Sequence, residues 1–226
     1  MDLWIDAPPH AGAWNMAMDQ AWLESAQRPL LRVYGWDRPT VTLGYAQRWD
    51  LLRDRLPVGW AVVRRWTGGG VVFHESDFTY TLVVPVGHPW AETRPLQSYV
   101  EIHQSLAEAL VAAGQVGCRL AQKEDVKDLP FCFDAPALHD VMRGVVKVAG
   151  AGQRRSRLGL LHQGSVQTVQ VGRDFWRGWA ARLARQVHEV VEPGQERLER
   201  AQVLEAKRYA LPGWLEGRDD ELSETR

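Results

Sequence analysis

PFCFDAPALHDVMRGVVKVAGAGQRRSRLGLLHQGSV, residues 130–166, is the stretch from which the rest of the chain can be read. From 139 to 169 the pattern is strand-like, with breaks near Arg143-Gly144 and Ser156-Arg157 that predict tight turns between β-strands. The same stretch holds Cys132, Lys147 inside the apolar segment VVKVAG, a glycine-rich bend, Arg154, Arg155, Arg157 and His162. A second run, RRWTGGGVVFHESDFTYTLVV at 64–84, sets Thr67-Gly68-Gly69-Gly70 between two further strands.

Working outward, LWID predicts a first strand closed by Pro8 and Pro9. Trp14, Ala17, Met18, Ala21 and Trp22 then repeat at helical spacing, which predicts a helix over 12–26 with Asp19, Gln20 and Glu24 facing out. LLRVYGW and TVTLGY read as strands either side of an Asp37-Arg38-Pro39 turn, followed by a short polar helix near 50–55. Residues 85–95 read as a loop. The strongest helix is 96–113, with Leu96, Tyr99, Ile102, His103, Leu106 and Leu110 in one stripe and Gly114 as its stop. GCRLA is a strand, 123–129 a charged loop, and 174–189 and 196–210 are helices separated by Pro193-Gly194. Helices and antiparallel hairpins mix without strict alternation, so the class is α+β, with mixed and antiparallel sheets flanked by helices. Residues 1–213 are expected to form a single domain and 214–226 a polar tail.

A chain of 226 residues with 45% hydrophobic and 24% charged residues can bury a substantial core. Its formal net charge of -1 gives no general attraction to nucleic acid, and no apolar run reaches the roughly 20 residues that span a bilayer. No basic segment precedes an apolar one at the N-terminus, so the expected location is the cytoplasm. Two cysteines, Cys118 and Cys132, make no disulfide framework. Cys118 reads as structural.

The chemistry on offer is specific but each element has a plain alternative. Consecutive glycines at 68–70 let backbone N–H groups approach a ligand closely, or simply make a tight turn. Arg64 and Arg65 could bind an anion there or lie solvated. Cys132 is a small apolar side chain unless a neighbour lowers its pKa, since the thiolate is the nucleophile. Lys147 alternates to the face opposite Val146 and Val148, where it either reaches solvent or enters a pocket as a partner for a thiolate and an oxyanion. His162 fits a hydrogen-bonded core position or, less simply, a general base. His74 and His139 lack the partner spacing of a zinc site, so no metal is expected. No GxSxG elbow, Walker loop or GxGxxG turn is present.

Taken together, RRWTGGGVVFH, KVAGAGQRR and LLHQGS, with NMAMDQAW and LRVYGWDRPTVTLGYAQ upstream, resemble the biotin/lipoate protein ligase and lipoyl transferase superfamily over about residues 3–169. The resemblance implies a class II biotin/lipoate ligase-like catalytic domain. Cys132-Phe133-Asp134-Ala135-Pro136 ahead of Lys147-Val148-Ala149-Gly150 is similar to the branch of cysteine octanoyltransferases that draw on acyl carrier protein. It implies a thioester on Cys132, with Lys147 holding the acyl carbonyl. It implies further that Arg65, Thr67, Gly68, Gly69, Gly70, His74, Gly150, Gln153, His162 and Gly164 line the acyl pocket, the two glycine-rich runs forming its opposite walls. The implied partners are acyl carrier protein and lipoyl domains such as glycine-cleavage H protein or a 2-oxoacid dehydrogenase E2. No cofactor is implied, because a thioester is already activated.

The chain departs from that pattern at Gly152, where the family often has Ala, and in His74-Glu75-Ser76-Asp77 in place of the commoner His-Asp form. The glycine ahead of Lys147 is also shifted, to Gly144. Two sister activities share the resemblance: an ATP- and magnesium-dependent lipoate ligase, and an amidotransferase moving lipoyl groups between lipoyl domains. A different class, a carrier-binding protein without chemistry, would use Arg154, Arg155 and Arg157 as a docking patch.

Overall fold

The structure, a computed structural model, describes residues 1–126 and 135–222. β1 (Asp2–His10), α1 (Gly12–Ser25) and β2 (Leu30–Trp36) form a strand–helix–strand unit with β1 and β2 parallel. β3 (Thr40–Leu43), α2 (Trp49–Leu52), β4 (Ala61–Arg64) and β5 (Val72–His74) follow, and these three strands make a small sheet ordered β4-β3-β5. Next come β6 (Phe78–Pro85), α3 (Pro89–Glu92), α4 (Pro95–Ala112), β7 (Cys118–Leu120), β8 (Val141–Arg143), β9 (Val146–Ser156) and β10 (Gly159–Val166). The chain closes with α5 (Arg173–Leu183), β11 (His188–Glu189), α6 (Gln195–Leu204), a π-helical turn (Glu205–Tyr209) and α7 (Pro212–Gly217). The large sheet runs β11-β1-β2-β6-β10-β9-β8-β7. The class is α+β, as the mix of helices and hairpins predicts.

The large sheet is covered on both faces, and its sequence shows why. β2 and β6 carry the apolar neighbours Leu30-Leu31 and Leu82-Val83, and successive residues of a strand alternate between two cores. Leu31 and Leu82 meet Ile102, Leu106 and Leu110 of α4 and Trp179 of α5. Leu30 and Val83 meet Ala17, Ala21 and Trp22 of α1 and Leu204 of α6. Ile102, Leu106 and Leu110 are fully buried, each contributing about 1.5–3 kcal/mol. Leu96, placed in the same stripe by its spacing, is exposed instead, so the buried face begins one turn later.

Several expectations need correction. Asp19 and Gln20 do not face out: both are buried, because Arg32 on β2 and Tyr209 in the π-helical turn supply partners for them. The Asp37-Arg38-Pro39 turn lies where expected, as a corner between the two sheets. Residues 85–95 contain α3, begun by Pro89. The helix expected over 174–189 stops at Leu183, and 188–189 add an edge strand beside β1. Trp214, assigned by its position to a polar tail, is buried in α7, with its indole N–H donating to the Arg64 carbonyl (3.0 Å).

Candidate active site

A cavity of about 260 Å³ lies between the two sheets. The small sheet and its glycine loop contribute Thr42, Arg65, Gly69, Gly70, Val71, Val72 and His74. Thr79, Gly150, Ala151, Gly152, Gln163, Gly164 and Ser165 come from β6, β9 and β10. Tyr99 of α4, with Ala135, Ala137, Asp140 and Lys147, closes one end.

Lys147 is mostly buried and points into this cavity. Its Nζ lies 2.9 Å from Asp140 Oδ2 and 3.5 Å from the Ala135 carbonyl. The reading that has it enter a pocket is therefore the one realised. Gly150 makes the room: a Cβ there would sit 2.7 Å from Lys147 Cε and 2.8 Å from Nζ. Asp140 also accepts the Tyr99 O–H (2.5 Å) on Oδ1 and the Ala137 N–H (2.7 Å) on Oδ2. Burial, reinforced by the Asp140 charge, pushes the Tyr99 phenol well above its ordinary range and keeps it a donor.

The glycine loop is held from three sides. Arg65 is buried and donates to Thr42 O (3.0 Å), Thr42 Oγ1 (2.5 Å), Gly68 O (3.1 Å) and Gly70 O (2.8 Å). With neutral acceptors around it, burial pulls its guanidinium down to about 10. Thr67 donates to Gln163 Oε1 (2.7 Å), and Gln163 Nε2 donates to Asp19 Oδ2 (2.7 Å). Gly68 N–H reaches the Gln153 carbonyl (3.3 Å), and Gly69 adopts the left-handed region, φ 93°, that glycine favours.

At the other end of the wall a chain of contacts runs from Arg65 through Thr42 to His74 Nε2 (2.9 Å), and from His74 Nδ1 to Asp77 Oδ2 (2.8 Å). Ser165 and Thr79 donate to the same Asp77 oxygen, at 2.6 and 2.9 Å. Burial works against the Asp77 charge, but the His74 ring and these donors outweigh it and hold its carboxyl below the usual range. The Trp36 ring stacks on His74 at 4.1 Å.

Of the residues singled out in the sequence, Arg65, Gly69, Gly70, His74, Lys147, Gly150 and Gly164 line this one cavity. Thr67, Gly68, Gln153 and His162 stand behind it. His162 is fully buried, contacting Tyr80 Oη (3.2 Å) and receiving Gln153 Nε2–H on Nδ1 (3.0 Å). Burial holds its ring well below the ordinary histidine range, which favours the core reading over a general base. Arg64 is neither solvated nor an anion site: it is buried, donating to the carbonyls of Gly44, Tyr45, Gln47, Trp214 and Leu215. Arg155 is likewise engaged within the fold, bonding Ala91 O (2.5 Å), Trp90 O (2.9 Å) and Ser98 Oγ (2.7 Å). Arg154 stacks on Trp66 at 4.3 Å. Cys118 is half-buried on β7, where burial pushes its thiol up, away from the thiolate. Cys132 lies outside the described residues.

Sequence reasoning missed Asp140 and Tyr99. The signal for Asp140 was an acid seven positions ahead of Lys147, across a turn; Tyr99 was hidden in the apolar stripe of its helix.

The lipoyl protein ligase A/B catalytic domain matches residues 11–182 of this chain. The octanoyltransferase LipM of Carboxydothermus hydrogenoformans is 37% identical over 176 residues, covering 74% of this chain and 65% of that protein. The octanoyltransferase LipM of Staphylococcus epidermidis is 31% identical, covering 68% of this chain and 60% of that protein. The chain thus spans somewhat under two thirds of these relatives' length. Among solved structures, lipoate-protein ligase A bound with ATP superposes with TM-score 0.74 at 19% identity, covering 96% of this chain and 99% of that one. A bi-partite lipoate protein ligase from Thermoplasma acidophilum superposes with TM-score 0.71 at 18% identity, covering 97% of each chain. The fold is that of the lipoate ligase catalytic domains. The chain belongs to the lipoyl protein ligase A/B catalytic-domain family.

Proposed function

We propose that this chain is an octanoyltransferase: it takes an octanoyl group from acyl carrier protein onto Cys132 and passes it to a lysine of a lipoyl domain. The observation that carries this reading is the Lys147 ammonium, held against the wall of the cavity where Gly150 leaves space for it. The relatives named octanoyltransferase support it.

In the first step the Cys132 thiolate attacks the donor's carbonyl carbon, forming a C–S bond and an oxyanion. Lys147 is the group that stabilises that oxyanion. Collapse breaks the donor's C–S bond, and the departing pantetheine thiolate takes up a proton, replacing the one Cys132 gave up. In the second step the lipoyl lysine amine attacks the acyl-enzyme, a C–N bond forms, and Cys132 leaves with the amine's proton. Both steps exchange groups on an activated acyl, so neither ATP nor a cofactor enters. Ala135, whose carbonyl accepts from Lys147, follows Cys132 by three residues in sequence. Met16, Tyr34, Trp36, Val71 and Val72 give the cavity apolar lining, worth about 0.8 kcal/mol per buried methylene of an acyl tail.

The lipoyl acceptors fitting this role are glycine-cleavage H protein and 2-oxoacid dehydrogenase E2, and the compartment is the cytoplasm. Among the described residues no helix is long and apolar enough to cross a membrane. The test is transfer of octanoate from octanoyl-acyl carrier protein to a purified lipoyl domain without ATP. Transfer that is abolished in Cys132→Ala and in Lys147→Ala supports the reading. A Cys132→Ala protein that still transfers, or a wild type that needs ATP and free acid, sinks it.

A further inference from the structure

We propose that Asp140 is the positioning residue of this site, one carboxylate that fixes the Lys147 ammonium and the 135–140 loop together. The role rests on the transferase reading above. Asp140 is 1% exposed, and its side chain joins three separate parts of the fold. Oδ2 meets Lys147 Nζ of β9 at 2.9 Å and the Ala137 N–H at 2.7 Å; Oδ1 takes the Tyr99 O–H of α4 at 2.5 Å.

Its own backbone is pinned before it meets any of these. The Asp140 carbonyl accepts the Ala121 N–H (2.7 Å), and the Asp140 N–H donates to Ala137 O (3.1 Å). The preceding residue, His139, sits in the left-handed region at φ 69°. Its N–H donates to Ala121 O (3.0 Å), and its carbonyl accepts from His103 Nδ1 (2.8 Å). A carboxylate so anchored acts as a fixed point. Three donors share its two oxygens.

Oxyanion stabilisation depends on a charge aimed in advance, and a misplacement of 1 Å can cost about 100-fold in rate. Lysine is a flexible four-carbon arm, so the aim has to be supplied by its partner. Asp140 supplies it while tying the same loop whose Ala135 carbonyl contacts Nζ. The apolar residues proposed above to take the acyl tail, Met16, Tyr34, Trp36, Val71 and Val72, are other parts of the cavity lining. The expected signature is therefore in kcat, with KM little altered.

The experiment measures steady-state transfer from octanoyl-acyl carrier protein to a lipoyl domain by wild type, Asp140→Asn and Tyr99→Phe, with a thermal melt of each. Asp140→Asn keeps the shape and an oxygen for Tyr99, but presents an amide where Lys147 or Ala137 needs an acceptor. It is expected to lose about 100-fold in kcat with KM within about threefold. Tyr99→Phe removes one hydrogen bond to the charge and is expected to lose about tenfold, again in kcat. An Asp140→Asn kcat within threefold of an active wild type overturns this role alone. A wild type without ATP-independent transfer overturns the transferase reading and this role with it. If Asp140→Asn does not fold, Tyr99→Phe decides: full kcat overturns the role, and a tenfold loss at unchanged KM supports it.

Discussion

Gly150 and Lys147 share one space: a Cβ on Gly150 would lie 2.8 Å from the lysine Nζ. The clash is with the far end of a flexible chain, so the fold can absorb it while the ammonium cannot stay in place. Gly150→Ala is expected to melt close to wild type and to lose about 100-fold in transfer rate. Thermal melts beside kinetics check this; full activity would mean that the position of the ammonium is unimportant.

Gly152→Ala is expected to behave the other way. A Cβ there would fall 2.3 Å from the Gly68 carbonyl oxygen, and backbone does not step aside. Overpacking of this kind costs about 1–3 kcal/mol, read as a lower denaturation midpoint. An alanine at this position is thus not accommodated with the glycine loop where it lies here.

How much of this was legible in advance follows the range of each interaction. The hairpins of β8, β9 and β10 and the stripe of α4 are local patterns, and the sequence reading of 139–169 matches them. Lys147 could be narrowed by alternation to a face, but its partner Asp140 comes from across a turn, and spacing alone does not pair them. A helical wheel places an acid such as Asp19 outside by default. The arrival of Arg32 and Tyr34 from β2, Thr81 from β6 and Gln163 from β10 turns it inward. The position of Trp214 near the C-terminus reads as tail, yet a single indole and the carbonyls it brings to Arg64 are enough to dock the helix.

Arg32 offers a stability test away from the chemistry. It is fully buried, donating to Asp6 Oδ2 (2.7 Å), Asp19 Oδ1 (2.7 Å) and Asn15 Oδ1 (2.8 Å). Arg32→Met leaves two buried acids without their cation and is expected to cost about 3–5 kcal/mol. Because Asp19 also holds Gln163, which braces Thr67, the same variant should lose activity below its melting transition. Urea denaturation checks the first and kinetics the second.

His103 and His162 make stability depend on pH. Both are fully buried, and burial lowers both rings below the ordinary histidine value of about 6.5. The unfolded chain then binds more protons than the folded one as pH falls through that value. Stability is fully present above it and declines toward the folded-state pKa, by up to about 1.4 kcal/mol per pH unit for each ring. Urea midpoints between pH 8 and pH 5 should fall, and His162→Gln should flatten the slope. A midpoint unchanged over that range contradicts the neutral assignment of the two rings.

The most direct measurement is the intact mass of the protein after brief exposure to octanoyl-acyl carrier protein, with no lipoyl domain and no ATP. The account predicts an increment of one octanoyl group on Cys132, removed by hydroxylamine and absent from Cys132→Ala. An adduct that survives hydroxylamine, resides on another residue, or forms only with ATP and free octanoate would contradict it.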